Sequence, residues 1–218
     1  MLCGLSQARR MTLTDLLLLL ASYLAGSLPI GLWIGRARGV DLREHGSRNI
    51  GATNAGRVLG RRFFFLVFAL DFAKGCLPVV VAQRAGSGEI DGATFGLLAG
   101  VAAIFGHVFP LFLRFKGGKG VATAAGVFAA TAPWPALLAA IAWLAVFLLT
   151  RYVSLASLCA AAVLPAACFL LPPYTGVAVG LPVQVVASAV GVLIFVRHRG
   201  NIGRLLRGEE SRAGRRKS

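Results

Sequence analysis

The chain of 218 residues is 57% hydrophobic and only 14% charged, a balance that excludes a water-soluble globular protein. Its 23 Lys and Arg against 8 Asp and Glu give a net charge of +15, but the basic residues lie between apolar stretches and not on a polar domain. This arrangement argues against nucleic acid as a partner and favours membrane lipid. We therefore predict an all-α polytopic membrane protein with about seven transmembrane helices, some of them short.

Apolar stretches that suit membrane helices follow one another along the chain. They cover residues 12–35, 63–82, 93–113, 121–150, 152–171 and 181–196. We divide the chain into an N-terminal leader (1–11), a single integral membrane domain (12–197) and a basic cytoplasmic tail (198–218). Because Met11 could itself begin the protein, residues 1–10 are expected to be either absent from the native protein or a dispensable leader.

The fourth apolar stretch is too long for one crossing and carries Pro133-Trp134-Pro135 near its middle. Proline removes a backbone donor and clashes with the preceding turn, so we predict a break there into two short helices. The first piece would reach only about 18 Å and has to pack against the rest of the protein. With this break the number of crossings becomes seven.

Seven crossings put four segments on one side of the membrane: residues 36–62, residues 114–120, the junction at Arg151 and the tail from Arg197. These segments hold nearly all of the Lys and Arg found in loops. The opposite loops, 83–92 and 172–180, hold only Arg84. Basic loops are retained on the cytoplasmic side, so we predict a cytoplasmic basic side and an external N-terminus.

The first cytoplasmic loop is rich in glycine and in small polar side chains. Glycine lets backbone N–H groups turn toward an anion, hydroxyl and amide groups add donors, and arginine offers a fork of charge that suits phosphate. The same composition is equally typical of a solvated turn. The candidate binding residues in this loop are Gly46, Ser47, Asn49, Thr53, Asn54 and Arg57.

A second glycine-rich loop, residues 115–120, contains Gly117, Gly118 and Lys119 and directly precedes an apolar stretch. Free N–H groups at a helix N-terminus, together with one lysine, form a ready phosphate site. The spacing is not that of a Walker A loop, so nucleotide hydrolysis has no support. The alternative is a tight turn that holds two lysines at the membrane boundary.

Polar side chains also cluster where the fifth stretch begins and where the last one ends. Arg151, Ser154 and Ser157 recur at spacings that put them on one helix face, which could be a third anion-facing helix start or plain helix packing. Past the last stretch, His198 could titrate or donate to phosphate, with Asn201 close by. For the arginines around them, we favour a role as positive membrane anchors.

Three ionisable residues lie inside the apolar stretches, where such groups are costly. Asp71 and Lys74 are one helical turn apart, and we predict that they pair with each other in a structural role. His107 is nearer the basic side and is expected to line the candidate site. The scattered histidines have no metal-ligand spacing, so no metal or other cofactor is expected.

Taken together, these motifs resemble one family, the bacterial acyl-phosphate:glycerol-3-phosphate acyltransferases. The resemblance spans residues 21–208. It is carried by G-S-R-N-I-G-A-T-N-A-G-R at 46–57, G-H-V-F-P with F-K-G-G-K-G between 106 and 120, R-Y-V-S-L-A-S at 151–157 and R-H-R-G-N at 197–201.

The resemblance implies a seven-helix enzyme of the bacterial inner membrane with its active site in the cytoplasmic loops. It would move a fatty acyl group from acyl phosphate to the sn-1 hydroxyl of glycerol 3-phosphate, giving lysophosphatidic acid and phosphate. By the same likeness, the first loop with Gly117, Gly118 and Lys119 would hold acyl phosphate. The residues implied to clamp glycerol 3-phosphate are Arg57, Lys119, Ser157, His198 and Asn201. Among all of these, the likeness implies catalytic roles for Ser47, Lys119, His198 and Asn201 and substrate-binding roles for Gly46, Asn49, Thr53, Asn54, Arg57, His107, Gly117, Gly118, Ser154 and Ser157.

The chain departs from the family pattern at two positions, with Arg48 where glycine is common and Gly200 where glutamate is common. We therefore predict that Asn201 and His198, not a carboxylate, orient the attacking hydroxyl. The H-x4-D signature of acyl-CoA-dependent enzymes is absent, which disfavours acyl-CoA as the donor. The alternatives are a membrane transporter of organic phosphates, which would bind substrate near the bilayer midplane, and a non-catalytic scaffold.

Overall fold

The computed structural model describes residues 11–87, 90–170 and 179–214. Within these ranges every regular element is a helix, in agreement with the predicted fold class. In chain order the helices are α1 (Leu13–Ser27), α2 (Ile30–Ala37), α3 (Ala52–Leu59), α4 (Arg61–Ala85), α5 (Gly92–Val108), a 3-10 turn (Leu111–Leu113), α6 (Val121–Thr131), α7 (Pro133–Thr150), α8 (Val153–Leu170), α9 (Leu181–Arg197) and α10 (Arg199–Leu206).

Five of the described stretches are long and apolar enough to cross a membrane: Leu13–Ala37, Arg61–Ala85, Gly92–Leu113, Pro133–Thr150 and Val153–Leu170. The pair α9 and α10 gives a sixth, although it bends by 59°. The remaining predicted crossing is α6, which has only 11 residues. At 1.5 Å per residue α6 is about 16 Å long, so it cannot cross the hydrocarbon layer alone and instead packs among α4, α5 and α7.

Prolines decide where two of the helices begin. The predicted break in the fourth apolar stretch is confirmed, because α6 ends at Thr131 and α7 begins at Pro133, the first helical position that proline favours. The sequence predicts one helix over residues 12–35, but this stretch is divided between α1 and α2 at Leu28 and Pro29. Pro29 has no N–H to continue the helical hydrogen bonds. At this break the Leu28 carbonyl accepts hydrogen bonds from the Ile30 N–H and from Lys74 Nζ, each at 3.0 Å.

Glycines bring the backbones of α4 and α6 into direct contact. A Cβ on Gly126 would lie 2.0 Å from the carbonyl oxygen of Phe72, and one on Gly75 would lie 2.1 Å from that of Thr123. No side chain fits at either place, and small residues of this kind are typical of close helix packing in membranes. The contact sets the start of α6 at a defined height beside α4.

Candidate active site

Three of the four basic segments, together with the start of α8, converge on a cavity of about 120 Å³ at one end of the helices. Eleven of the predicted site residues line it: Ser47, Asn49, Thr53, Asn54, Arg57, His107, Lys119, Ser154, Ser157, His198 and Asn201. The other three, Gly46, Gly117 and Gly118, belong to the same two glycine-rich loops but do not line the cavity themselves. A second cavity of about 300 Å³ lies at the opposite end near Asp91 and Pro133, and its described lining is mainly apolar.

The loop before α3 is organised by the buried side chain of Asn54. Its amide nitrogen donates to the carbonyl oxygens of Leu42, His45 and Asn49 at 2.8–3.0 Å, and its carbonyl oxygen accepts from the Ser47 backbone N–H at 2.8 Å. Asn54 thus lines the cavity, but its side chain is hydrogen-bonded to the backbone of the loop itself. The Ser47 side chain is presented to the cavity on this frame.

Gly46 and Arg48 both adopt left-handed backbone conformations, with φ of 61° and 58°. A Cβ at Gly46 would also lie 2.2 Å from Asn54 Oδ1, so glycine is required there. Arg48 has no such crowding but carries the conformational cost of an L-residue with positive φ. This explains why glycine suits position 48.

We expect Arg48→Gly to raise the free energy of unfolding by about 1 kcal/mol, because it relieves the left-handed strain in an exposed residue. Thermal unfolding of the detergent-purified protein measures the change. Arg43→Gly in the same loop is the matched control and should destabilise, since Arg43 is bonded to Asp41 and has no positive φ to relieve. Equal effects of the two variants would contradict this explanation.

The second glycine loop is held from two sides. Gly118 N–H donates to the His107 carbonyl oxygen at 3.1 Å, and Arg197 donates to the carbonyl oxygens of Gly117 and Gly118 at 3.0–3.2 Å. Arg197 is therefore more than the membrane anchor that the sequence suggests. With these carbonyls bound by Arg197, α6 begins at Val121 after an N-cap glycine, Gly120, that offers no side-chain cap, and its first turn lines the cavity. Uncapped N–H groups of this kind form an anion site.

Lys119 reaches across the cavity and donates a hydrogen bond from Nζ to Asn201 Oδ1. Burial lowers the pKa of Lys119 to about 8, with the neighbouring charge of Arg204 acting in the same direction and that of Glu210 opposing it. Lys119 thus remains largely cationic at neutral pH. Its charge faces the same cavity as Arg57, whose guanidinium also donates to the Ser211 carbonyl at 3.2 Å.

The start of α8 contributes two serines, as predicted, but not the arginine before them. Ser154 and Ser157 are buried and line the cavity, and Ser157 accepts a hydrogen bond from Trp143 Nε1 at 3.2 Å. Arg151 was predicted to share their face. It instead precedes the helix with φ of 61°, and its side chain is exposed. Its backbone carbonyl binds the Ala213 N–H at 2.8 Å.

His198 lies at the bend between α9 and α10, where its Nδ1 is 2.8 Å from the Ile194 carbonyl. A carbonyl only accepts, so Nδ1 carries the hydrogen and Nε2 is left as an acceptor. Burial lowers the pKa of His198 to about 4, and the nearby Lys119 charge adds to the shift. The neutral form of His198 that this environment favours has Nε2 as a hydrogen-bond acceptor. The role of His198 as a donor to phosphate, considered from the sequence, stays a prediction.

Glu210 is a cavity residue that the sequence reasoning missed. Its carboxylate accepts hydrogen bonds from Ser154 Oγ at 2.8 Å and from Asn201 Nδ2 and Arg204 Nε at 2.7 Å. Burial raises the pKa of Glu210, but these three hydrogen bonds outweigh it and hold the pKa below the ordinary value. A carboxylate thus reaches the site from ten residues beyond Gly200. The available signal was a pair of acids, Glu209 and Glu210, in an otherwise basic tail.

The predicted pairing of Asp71 with Lys74 is confirmed, with Oδ1 and Nζ 2.9 Å apart in a buried position on α4. Asp71 also lines the cavity, as do Phe64 and Phe68 from the same helix. Together with Trp143 of α7, these rings make up the aromatic wall of the cavity. The cavity lining therefore combines cationic and N–H donors with aromatic side chains.

These features define a class of protein: a polytopic helical membrane protein with a cavity lined by basic and polar side chains at one end of its helices. The sequence model of one family, glycerol-3-phosphate acyltransferase, matches residues 16–208. The chain belongs to the glycerol-3-phosphate acyltransferase family.

Individual relatives agree with this assignment over nearly their whole length. The chain is 46% identical to a glycerol-3-phosphate acyltransferase of Aquifex aeolicus (strain VF5), with 90% of this chain and 98% of that protein aligned. It is 45% identical to one of Anaeromyxobacter dehalogenans (strain 2CP-1), with 90% and 96% aligned.

Solved structures show the same fold. A crystal structure of PlsY (YgiH), an integral membrane glycerol 3-phosphate acyltransferase, in its glycerol 3-phosphate form, superposes with a TM-score of 0.83 at 42% identity, covering 92% of this chain and 96% of that one. The lysophosphatidic acid form of PlsY superposes with a TM-score of 0.79 at 42% identity, covering 92% and 95%. The predicted family and the helical membrane fold are thus confirmed.

Proposed function

We propose that the chain transfers a fatty acyl group from acyl phosphate to the sn-1 hydroxyl of glycerol 3-phosphate, forming lysophosphatidic acid and phosphate. The observation that carries the proposal is a single cavity with two separate sets of groups suited to phosphate. One is the uncapped start of α6 with the backbone of Gly117 and Gly118 before it, and the other contains the side chains of Arg57 and Lys119. Two phosphate-bearing substrates call for two such sets.

The apolar wall supports a lipid substrate. Phe64, Phe68 and Trp143 line the cavity beside the start of α6, so an acyl chain could leave the site along these rings while its phosphate stays at the N–H groups. We infer that the cavity opens to the cytoplasm in a bacterial inner membrane, because basic loops surround it.

In the proposed reaction the glycerol O–H bond breaks, an ester C–O bond forms, and the acyl C–O bond to the leaving phosphate breaks. The departing phosphate takes up the proton, so no side-chain base is consumed. His198 offers Nε2 to orient the hydroxyl. Asn201 accepts a hydrogen bond from Lys119 and donates one to Glu210. These two hydrogen bonds hold the Lys119 ammonium in position beside the attacking hydroxyl. Charge stabilisation by oriented donors then carries most of the acceleration.

Purified protein in detergent, supplied with palmitoyl phosphate and labelled glycerol 3-phosphate, is the direct test of this function. Lysophosphatidic acid and phosphate should form in equal amounts, and Ser47→Ala and Lys119→Ala should abolish turnover while leaving the protein folded. Turnover with palmitoyl-CoA but not with palmitoyl phosphate would refute the donor. Uptake of glycerol 3-phosphate into vesicles without any lipid product would identify a transporter instead.

The lowered pKa of Lys119 predicts a pH dependence. Because the pKa is about 8, kcat/KM for glycerol 3-phosphate should be level below pH 8 and fall about tenfold per pH unit above it, as the cation loses its proton. Lys119→Arg serves as the comparison, because arginine keeps its charge at high pH. The fall in kcat/KM above pH 8 should be absent in this variant, even if its rate is lower than that of wild type. A wild-type profile that stays level to pH 10 would contradict this assignment.

A further inference from the structure

The buried ion cluster beneath the glycine loop has no role in the reaction as described so far. Lys74 has two described partners, because its Nζ contacts Asp71 Oδ1 at 2.9 Å and donates to the Leu28 carbonyl at 3.0 Å. Asp71 has a further neighbour. Its Oδ1 is 3.7 Å from His107 Nδ1 on α5, and both side chains are buried and line the cavity.

The imidazole of His107 is incompletely satisfied. Its Nδ1 has no hydrogen-bond partner in the part of the chain that the structure describes. At 3.7 Å the Asp71 carboxylate is too far for a hydrogen bond, but in a buried site it still orients the ring electrostatically. The Asp71 carboxylate thus lies close to the unpartnered Nδ1 of His107 and can set the orientation of the ring, with the Lys74 charge also acting on it.

His107 in turn is the surface on which the glycine loop rests. Gly118 N–H donates to the His107 carbonyl oxygen. A Cβ on Gly117 would lie 2.2 Å from that oxygen, and one on Gly118 would lie 2.2 Å from His107 Nε2. Arg197 holds the loop from the other side through the Gly117 and Gly118 carbonyls. With backbone packed directly on the ring, a shift of the ring displaces the loop.

We propose that Asp71 is a positioning residue which, through the His107 ring, sets the position of the glycine loop and of the N–H groups that receive the phosphate of the acyl donor. The inference rests on acyl phosphate being the donor. Lys74 balances the charge of Asp71 without touching the loop. The pair is thus not only an element of helix packing but the base of one of the two phosphate sites.

The experiment has to separate this role from the pairing itself. Asp71→Asn alone leaves Lys74 buried without its counter-charge, so a loss of activity could reflect poor folding. The double variant D71N/K74Q removes both charges and leaves a polar side chain at each position, with Asn matching the shape of Asp71. We expect it to unfold near the wild-type temperature, with KM for palmitoyl phosphate raised about tenfold or more and KM for glycerol 3-phosphate unchanged. If Asp71 and Lys74 had a purely structural role, the variant would not raise KM for one substrate while leaving KM for the other unchanged.

A double-mutant cycle identifies the route. Adding His107→Gln to D71N/K74Q should raise KM for palmitoyl phosphate little further, because the two changes disturb the same contact. Asp15→Asn is the control, since Asp15 is a buried carboxylate held by Thr12 and Ser87 at the opposite end of the molecule. It should lower the unfolding temperature and leave both KM values unchanged.

A wild-type KM for palmitoyl phosphate in D71N/K74Q, or an equal rise in Asp15→Asn, would overturn the positioning role while the proposed reaction stands. If the wild-type protein itself fails to use palmitoyl phosphate, the proposed donor falls and this inference falls with it. Should D71N/K74Q not fold, Asp71→Glu keeps the charge and the Lys74 pair but lengthens the side chain toward His107. The same division of KM values is expected, and its absence would again overturn the role.

Discussion

Glu210→Gln is expected to lower kcat/KM for glycerol 3-phosphate by about a hundredfold. The carboxylate accepts hydrogen bonds from Ser154, Asn201 and Arg204, and hydrogen bonds that involve a charged group contribute about 1.5–3 kcal/mol each. Glutamine offers one acceptor oxygen and turns an NH2 group toward donors. Arg204 and the nearby Lys119 then lose their counter-charge, and Asn201 loses its alignment.

Glu209→Gln is the matched control for this variant. Glu209 is the adjacent residue with the same side chain, but it is exposed and pairs only with the exposed Arg207 in the described part of the chain. Its replacement should leave activity and unfolding temperature unchanged, because exposed ion pairs contribute little. Steady-state kinetics and thermal unfolding of both variants measure the difference. Equal activities of Glu210→Gln and wild type would show that the carboxylate does not organise the site.

Asn201→Ala is expected to lower kcat by about a hundredfold, since orientation of reacting groups accounts for several kcal/mol of a barrier. The side chain lies between Lys119 Nζ and Glu210 Oε1 and bonds to both. Alanine leaves the cation and the carboxylate to approach each other directly, which neutralises the charge meant for substrate. The effect should appear in kcat with labelled glycerol 3-phosphate at saturation.

Gly200→Glu, which restores the glutamate common in the family, should change activity only modestly. Gly200 is exposed, and apart from its chain neighbours and the backbone of its own helix the described heavy atom near a Cβ placed there is Arg204 Nη1 at 3.7 Å. A glutamate at this position would meet Arg204 at the surface and not enter the cavity. A gain of about tenfold, or about 1.4 kcal/mol, would show that the missing carboxylate handles the proton and would defeat the mechanism proposed here.

Local sequence signals were sufficient for the framework. The length of the apolar stretches predicts the helices that cross the membrane, and Pro133 predicts the break between α6 and α7. The two glycine loops could be predicted because their glycines and their polar and basic side chains are close together in the sequence. Asp71 and Lys74 were paired correctly because helical spacing alone brings them together.

What the sequence did not reveal depends on contacts between distant segments. Glu210 reaches Ser154 across 56 positions of the chain, so no local pattern connects them. Arg197 reads as a membrane anchor until the fold brings it to the Gly117 carbonyl. Arg151 keeps helical spacing with Ser154 but precedes the helix, because the turn after α7 takes a left-handed residue. Helical periodicity predicts which face of a helix a residue lies on only if that residue is part of the helix.

The aromatic wall has a consequence for the energetics of donor binding. Phe64, Phe68 and Trp143 line the cavity, while their helix neighbours Phe65 and Leu144 are exposed on the outer surface of the same helices. Phe68 is itself 38% exposed, so the lining of the cavity is continuous with the outer apolar surface of α4. Drawing a free acyl chain out of the bilayer costs about 0.8 kcal/mol per methylene, or about 12 kcal/mol for a chain of about 15. A lipid-borne donor whose tail stays beside these rings avoids that desorption, so only its headgroup has to exchange solvation when it reacts.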